Sequence, residues 1–180
     1  MTETSKAVGF LRSDHANCSA ILWDNLERNP DKLAVVGPAG SLTYAQLVAS
    51  AAQWGNAFMR FGLRRGDRIP FFLDDTPAYP AAFFGAVRAG LVPVLLNTQT
   101  NAETLANFLA DTEARLVLCE ADLRGAFPDE IVAASGVEKI VIVNGGAEAS
   151  CQISDEEFLQ GMPTDLDCGD TSTGDMAFWR

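Results

Sequence analysis

Gly62-Leu63-Arg64-Arg65-Gly66-Asp67-Arg68-Ile69, then Phe71-Phe72-Leu73-Asp74-Asp75-Thr76-Pro77, then Phe83-Phe84-Gly85-Ala86-Val87-Arg88-Ala89-Gly90-Leu91-Val92-Pro93-Val94-Leu95-Leu96-Asn97: this stretch decides the fold. Glycine and charge make 62–68 a turn. The apolar run 68–73 reads as a buried strand. Pro70 inside it predicts a strand near a sheet edge or one that starts after the proline, because proline cannot donate to a ladder. Asp74-Asp75-Thr76-Pro77 is a turn and helix start, with Thr76 or Asp75 as the cap and Pro77 in the first turn. The helix is expected over 79–89 and ends at Gly90. Residues 91–96 form a second buried strand despite Pro93. Strand, helix and strand in this order make a βαβ unit.

On the N-terminal side, residues 19–28 place Ile21, Leu22, Asn25 and Leu26 on a short amphipathic helix that Asn29-Pro30 ends. Leu33-Ala34-Val35-Val36 is a strand, Gly37-Pro38-Ala39-Gly40 a turn, and Ser41-Leu42-Thr43 a short return strand. Thr43 is an N-cap with Gln46 as its capping-box partner. Over 44–61, Leu47, Ala51, Trp54, Phe58 and Phe61 recur at helical spacing, and Gly62 stands where a C-cap glycine belongs.

On the C-terminal side, Thr100 or Asn101 caps a helix over 102–111 that puts Leu105, Phe108 and Leu109 on one face. Residues 115–119 and 139–143 are further strands, and 155–159 a short helix. Residues 162–175, rich in Pro, Thr, Gly, Ser and Asp, read as a connector, and Met176-Ala177-Phe178-Trp179 begins another apolar strand. Strands alternating with helices predict an α/β fold: a mainly parallel sheet with helices on both faces. The expected organisation is an N-terminal arm (1–15), an α/β subdomain (16–161), and a connector with the start of a strand (162–180).

Composition narrows the function classes. The 180 residues carry 13 Lys+Arg against 24 Asp+Glu, a formal net charge of −11. No basic footprint for nucleic acid or an anionic membrane surface is visible. No apolar run approaches the ~20 residues that span a bilayer, and Met1 to Ala7 lack a signal-type apolar stretch, so the cytoplasm is the expected compartment. Cys18, Cys119, Cys151 and Cys168 stand 101, 32 and 17 residues apart. That spacing gives no zinc pair, and partly buried, inert thiols are expected.

Few side chains suggest chemistry. His15, the only histidine, lies in a polar N-terminal stretch and reads as a surface residue. Asp74 and Asp75 are adjacent, which on a strand aims them to opposite faces and suits turn duty better than acid–base work. Gly145-Gly146 reads as a loop after a strand rather than an anion nest, and Arg64-Arg65 as a solvated turn rather than a phosphate contact. Trp54, Phe83 and Phe84 are core residues before they are stacking platforms. Arg124 follows a strand end, where ligands gather in open α/β sheets.

Leu42-Thr43-Tyr44-Ala45-Gln46-Leu47, the 62–68 turn and the 82–97 run resemble the N-terminal part of the adenylate-forming (AMP-binding) acyl-CoA synthetases. Leu73-Asp74-Asp75-Thr76-Pro77-Ala78-Tyr79-Pro80, with Phe83 to Gly90, is most similar to benzoate-CoA and related aryl-CoA ligases. Many members of the superfamily carry Asn in the turn where this chain has Asp74-Asp75. The resemblance covers about 16–180, and Asp175-Met176-Ala177-Phe178-Trp179-Arg180 looks like the strand that leads into the family's phosphate loop.

The resemblance implies a two-step reaction, in which a carboxylate, aromatic and benzoate-like, attacks the α-phosphate of ATP. The thiol of coenzyme A then attacks the acyl-adenylate. Mg²⁺ neutralises phosphate charge in the first step. It implies a small-molecule carboxylate, ATP and coenzyme A as partners, allows a homodimer, and involves neither nucleic acid nor membrane. No Gly-rich segment followed by Lys-Ser or Lys-Thr occurs in the 180 residues, so no catalytic residue is carried over. Some acyl-CoA synthetases place an arginine against the nucleotide part of coenzyme A near the position of Arg124, and that one contact is carried over. The chain therefore reads as a truncated N-terminal region, expected to be inactive alone and to bind no cofactor tightly. The alternative is a stand-alone α/β binding domain with the topology and no catalysis. A redox module is disfavoured by the lack of paired cysteines and of a flavin phosphate loop.

Overall fold

The computed structural model describes residues 16–180, so His15 and the expected 1–15 arm lie outside the described residues. In chain order the elements are α1 (Ala20–Arg28), β1 (Leu33–Gly37), β2 (Gly40–Thr43), α2 (Tyr44–Phe61), β3 (Arg68–Phe72), α3 (Ala78–Arg88), β4 (Val92–Leu95) and α4 (Ala102–Thr112). They continue with β5 (Leu116–Glu120), a 3-10 helix (Ala121–Ala126), α5 (Asp129–Ala134), β6 (Lys139–Val143), β7 (Gln152–Ser154) and α6 (Asp155–Leu159). β1 and β2 form an antiparallel hairpin, and the other five strands make one parallel sheet in the order β4-β3-β5-β6-β7.

Side chains alternate across that sheet, which explains the layers. Ile69, Phe71, Leu116, Leu118, Val141 and Val143 join one buried cluster with residues of α1, α2, α3 and α6. Phe72, Val117, Cys119, Ile140 and Ile142 join a second cluster with Leu105, Leu109, Phe127 and Val132 on the opposite face. Both faces are covered, as continuous apolar strands require.

Pro70 does not mark a sheet edge, nor does its strand start after it: β3 includes Pro70 and lies between β4 and β5. The reason is which side the missing donor faces. In a parallel pair a residue turns its N–H and C=O to one neighbour, and the next residue turns to the other. Val92 N–H donates to Asp67 C=O and Leu96 N–H to Phe71 C=O, so Asp67, Ile69 and Phe71 face β4. Pro70 therefore faces β5, and the β3–β5 register begins only at Phe71 opposite Leu118. Pro93 is tolerated by the same logic. It faces away from β3, where its carbonyl accepts from Trp179 N–H at 2.9 Å.

The expected caps hold at two helices. Thr43 Oγ1 accepts from Gln46 N–H while Gln46 Oε1 accepts from Thr43 N–H, and Gly62 closes α2 with φ 96°. Asn101 Oδ1 accepts from Thr104 N–H at the start of α4. At α3 neither Thr76 nor Asp75 caps; Pro77 occupies the cap position without a side-chain bond, and Thr76 Oγ1 instead meets Asn144 Nδ2 at 3.3 Å. Phe108 leaves the buried stripe of α4 and is 37% exposed, whereas Leu105, Leu109 and Thr112 are buried.

Residues 163–169 run without regular structure across α2 and α3. Asn56 Nδ2 donates to the carbonyls of Pro163 (3.2 Å) and Asp165 (2.9 Å), and Arg88 Nε to that of Leu166 (3.2 Å). Further on, the expected strand at 176–179 is a single parallel bridge between Val94 and Trp179.

Candidate functional site at the carboxyl edge of the sheet

From β3 the chain crosses to β4 on one side and then returns past β3 to β5 on the other. That reversal opens a crevice outside the carboxyl ends of β3 and β5, the place where open α/β sheets take ligands. Three elements deliver polar groups there: Asp74 follows β3, Glu120 ends β5, and Asn144 follows β6. Asn144 sits in the left-handed region at φ 58°, a conformation asparagine tolerates better than most residues.

Glu120 is 6% exposed. Its Oε1 accepts from Asn144 Nδ2 at 2.6 Å and its Oε2 from the backbone N–H of Asp74 at 3.4 Å. Burial pushes the Glu120 carboxyl above the usual glutamate range. The two hydrogen bonds oppose that shift, while the charges of Asp74 and Asp155 add to it. Asn144 N–H donates to Asp155 Oδ2 at 3.3 Å, which ties the start of α6 into the same cluster. This corner is acidic, and the carboxylates of Glu120 and Asp155 both accept from Asn144. No group of three or more His, Cys, Asp and Glu suited to a metal exists among the described residues.

Arg124 lies in the 3-10 helix after β5, and its Nη2 pairs with Glu148 Oε1 at 2.6 Å while Nη1 donates to Gly146 C=O at 3.4 Å. The Gly145-Gly146 loop thus packs against this helix. A Cβ on Gly145 would come within 2.5 Å of Ala121 Cβ, so close approach is the reason for that glycine. Arg65 pairs with Asp175 at 2.5 Å, and Trp54 is buried at 1% exposure, whereas Phe83 and Phe84 are only half-buried. Cys119 is buried and its thiol is pushed up to about 12, chiefly by burial, as expected of an inert cysteine.

A cavity lies elsewhere, along the outer edge of β4. It has a volume of about 730 Å³ and is lined by Tyr79, Leu95, Leu96, Phe108, Trp179 and Arg180 among others. Burial raises the Tyr79 hydroxyl, the charge of Asp75 raises it further, and Arg180 lowers it.

Glu120 and Asn144 were not legible as a pair from sequence. The available signals were a charged residue closing the apolar run Leu116-Val117-Leu118-Cys119, and Asn before Gly-Gly after Ile140-Val141-Ile142-Val143.

The family model described as AMP-binding enzyme matches residues 22–173. The chain is 31% identical over 149 residues to a 3-hydroxybenzoate–CoA ligase of Aromatoleum sp. (strain CIB), covering 83% of this chain and 28% of that protein. It is 30% identical to a 4-hydroxybenzoate–CoA/benzoate–CoA ligase of Rhodopseudomonas palustris, covering 94% of this chain and 31% of that protein. The chain therefore spans less than a third of the length of either relative. Among solved structures, a benzoate CoA ligase from Burkholderia xenovorans LB400 superposes with a TM-score of 0.79 at 27% identity, over 91% of this chain and 32% of that one. The anthranilate CoA ligase AuaEII, bound to anthranoyl-AMP, shares the fold with a TM-score of 0.88 at 24% identity, over 92% of this chain and 32% of its own.

Proposed function

The chain belongs to the AMP-binding enzyme family, and from that premise we propose that it forms the parallel-sheet part of an ATP-dependent ligase for a benzoate-like acid. That ligase joins the acid's carboxylate to ATP as an acyl-adenylate, releasing pyrophosphate, and passes the acyl group to the thiol of coenzyme A, releasing AMP. The observation that carries this reading is the 31% identity to a 3-hydroxybenzoate–CoA ligase over 83% of the chain.

The carboxyl edge of β3 and β5 does not fit ATP. The carboxyl edge of β3 and β5 presents Asp74 and Glu120, whose charges repel a triphosphate, and the nearby Arg124 is paired with Glu148. The chain's contribution is structural: a rigid sheet and a polar edge against which the groups that stabilise the transferring phosphate are assembled. For coenzyme A, Arg124 is our assigned contact with the nucleotide part, reached by exchanging Glu148 for a phosphate. The interaction is charge-assisted in either case. No helix among the described residues is long and apolar enough to cross a membrane. Four free thiols suit a reducing compartment, and we assign the cytoplasm.

The test is carboxylate-dependent exchange of radiolabelled pyrophosphate into ATP, run on the complete gene product and on residues 1–180 side by side. The acids are benzoate, 3- and 4-hydroxybenzoate, and hexanoate. Exchange with the aromatic acids is expected from the gene product and none from 1–180. No exchange from the gene product overturns the ligase reading, and exchange with hexanoate alone overturns the aromatic assignment. Exchange by residues 1–180 overturns the claim that adenylation needs groups outside them. Arg124→Ala in the active protein should raise the KM for coenzyme A and leave pyrophosphate exchange unchanged; an unchanged KM removes Arg124 from the site.

A further inference from the structure

Glu120 ends β5 at the centre of the sheet, buried, between two donors that come from different elements. Asn144 Nδ2 donates to one carboxylate oxygen at 2.6 Å, and Asp74 N–H to the other at 3.4 Å. Asn144 Nδ2 also lies 3.3 Å from Thr76 Oγ1, so the β3–α3 turn and the end of β6 meet at this one side chain. We propose that Glu120 is a proton-operated latch that holds the Asp74 end of the β3–α3 turn to the end of β5 across the switch point and loosens that hold when it takes up a proton. This inference does not rest on the proposed ligase activity.

The chemistry follows from the donor count. Both partners only donate at these positions, and a carboxylate is the side-chain terminus that offers an acceptor to each. A proton from solvent turns one oxygen into a donor that faces an N–H. The 3.4 Å contact is the longer and weaker of the two, so the proton settles on Oε2 and leaves the Asp74 amide facing a neutral hydroxyl oxygen, a weaker acceptor than the carboxylate. The Asn144 contact stays on Oε1.

The surrounding charges favour uptake. Asp74 on the β3–α3 turn and Asp155 at the start of α6 both face the carboxylate with negative charge, and Cys119 beside it stays a neutral thiol. Among the described residues no cation hydrogen-bonds Glu120, and Arg124, four residues on, is engaged with Glu148. The sign for global stability is opposite to that for the latch. A carboxyl raised in the folded state makes the fold more stable as pH falls toward the unfolded value, because the buried charge is removed. Acidification thus firms the fold and loosens the Asp74 amide, a combination that general acid unfolding cannot mimic.

The test is a pH titration of the ¹⁵N-labelled 180-residue chain by NMR. The Asp74 backbone amide and the Asn144 side-chain NH₂ should titrate with one shared midpoint above the ordinary glutamate value of about 4.3. Below it, exchange of the Asp74 amide, corrected for its intrinsic pH dependence, should speed up at least tenfold relative to the amides of β5. Glu120→Gln must present its NH₂ to one of the two donors. It should abolish the shared titration and leave the exchange of the Asp74 amide, after the same correction, independent of pH. A midpoint at the ordinary value, separate midpoints for the two reporters, or a titration that survives in the Gln variant overturns the latch. If the Gln variant fails to fold, the titration of the unsubstituted chain decides alone.

Discussion

Replacing Gly85 with alanine tests the close approach of α2 and α3. A Cβ on Gly85 would stand 2.3 Å from Ala51 O, 2.9 Å from Gly55 N and 2.9 Å from Trp54 Cβ. The first two are backbone atoms of α2, so no rotamer change relieves them. Carbon contacts settle at about 3.5–4.0 Å, so α3 must move away from α2 by roughly 1 Å. The side chains at this seam, Ala51, Ala52, Trp54, Ala82 and Ala86, are at most 1% exposed and cannot follow both helices. A gap of about 0.5–1 Å forfeits a quarter to a half of each pairwise attraction, and a large buried side chain makes about 40–60 of them at ~0.1–0.2 kcal/mol. With about half of Trp54's contacts facing α3, and the alanines losing a similar amount, the loss is about 3 kcal/mol. Alanine returns about 1 kcal/mol through its better helix propensity. The net is a destabilisation of about 2 kcal/mol, within the usual range for overpacking.

In urea, with a slope of about 2 kcal/mol/M, the unfolding midpoint should fall by about 1 M. Gly125→Ala is the control, since nothing lies within 4 Å of its Cβ position; it should move the midpoint by less than about 0.3 M. A Gly85→Ala chain as stable as the original, or more so, would refute the reasoning, because helix propensity alone would then outweigh the contact.

Thr43→Ala and Asn101→Ala each remove a cap bond to a backbone N–H and should cost about 1 kcal/mol in the same urea titration, whereas Asn101→Gly should cost only a few tenths; an Asn101→Ala chain as stable as the original would show that the cap bond contributes nothing. The buried Cys119 thiol, pushed up to about 12, should remain unmodified by iodoacetamide at pH 8 while the exposed Cys168 reacts. Peptide mass spectrometry reads both, and equal labelling of the native chain would contradict the burial of Cys119.

What was legible locally came out where the chemistry spans a few residues. The Thr43–Gln46 capping box and the left-handed Gly62 are set by groups three or four positions apart, and both formed. The 71–73 and 116–119 runs read as buried strands because every residue is apolar, which only a sheet covered on both faces permits. The cap at α3 failed because a distant residue, Asn144, engages Thr76, and no local pattern contains that partner. Phe108 failed because one apolar residue at the margin of a helical stripe is covered only if something packs there, and on this side lies the cavity beside β4.

By itself the sequence determined the parallel α/β class, the order of elements along the chain, and the resemblance of its motifs to acyl-CoA synthetases. Those follow from periodicity, capping groups and turn residues, all of which act over short stretches of chain. Only the tertiary structure decided the strand order. Proline at position 70 reads as an edge signal until β4 and β5 are seen on either side of it, because the cost of a missing N–H depends on which neighbour it faces and where that neighbour's ladder begins. The meeting of Glu120 with Asn144 and Asp74 is of the same kind. Twenty-four residues separate Glu120 from Asn144 and forty-six separate it from Asp74. They meet because parallel strands bring their carboxyl ends to one edge, and the buried charge there follows from that convergence.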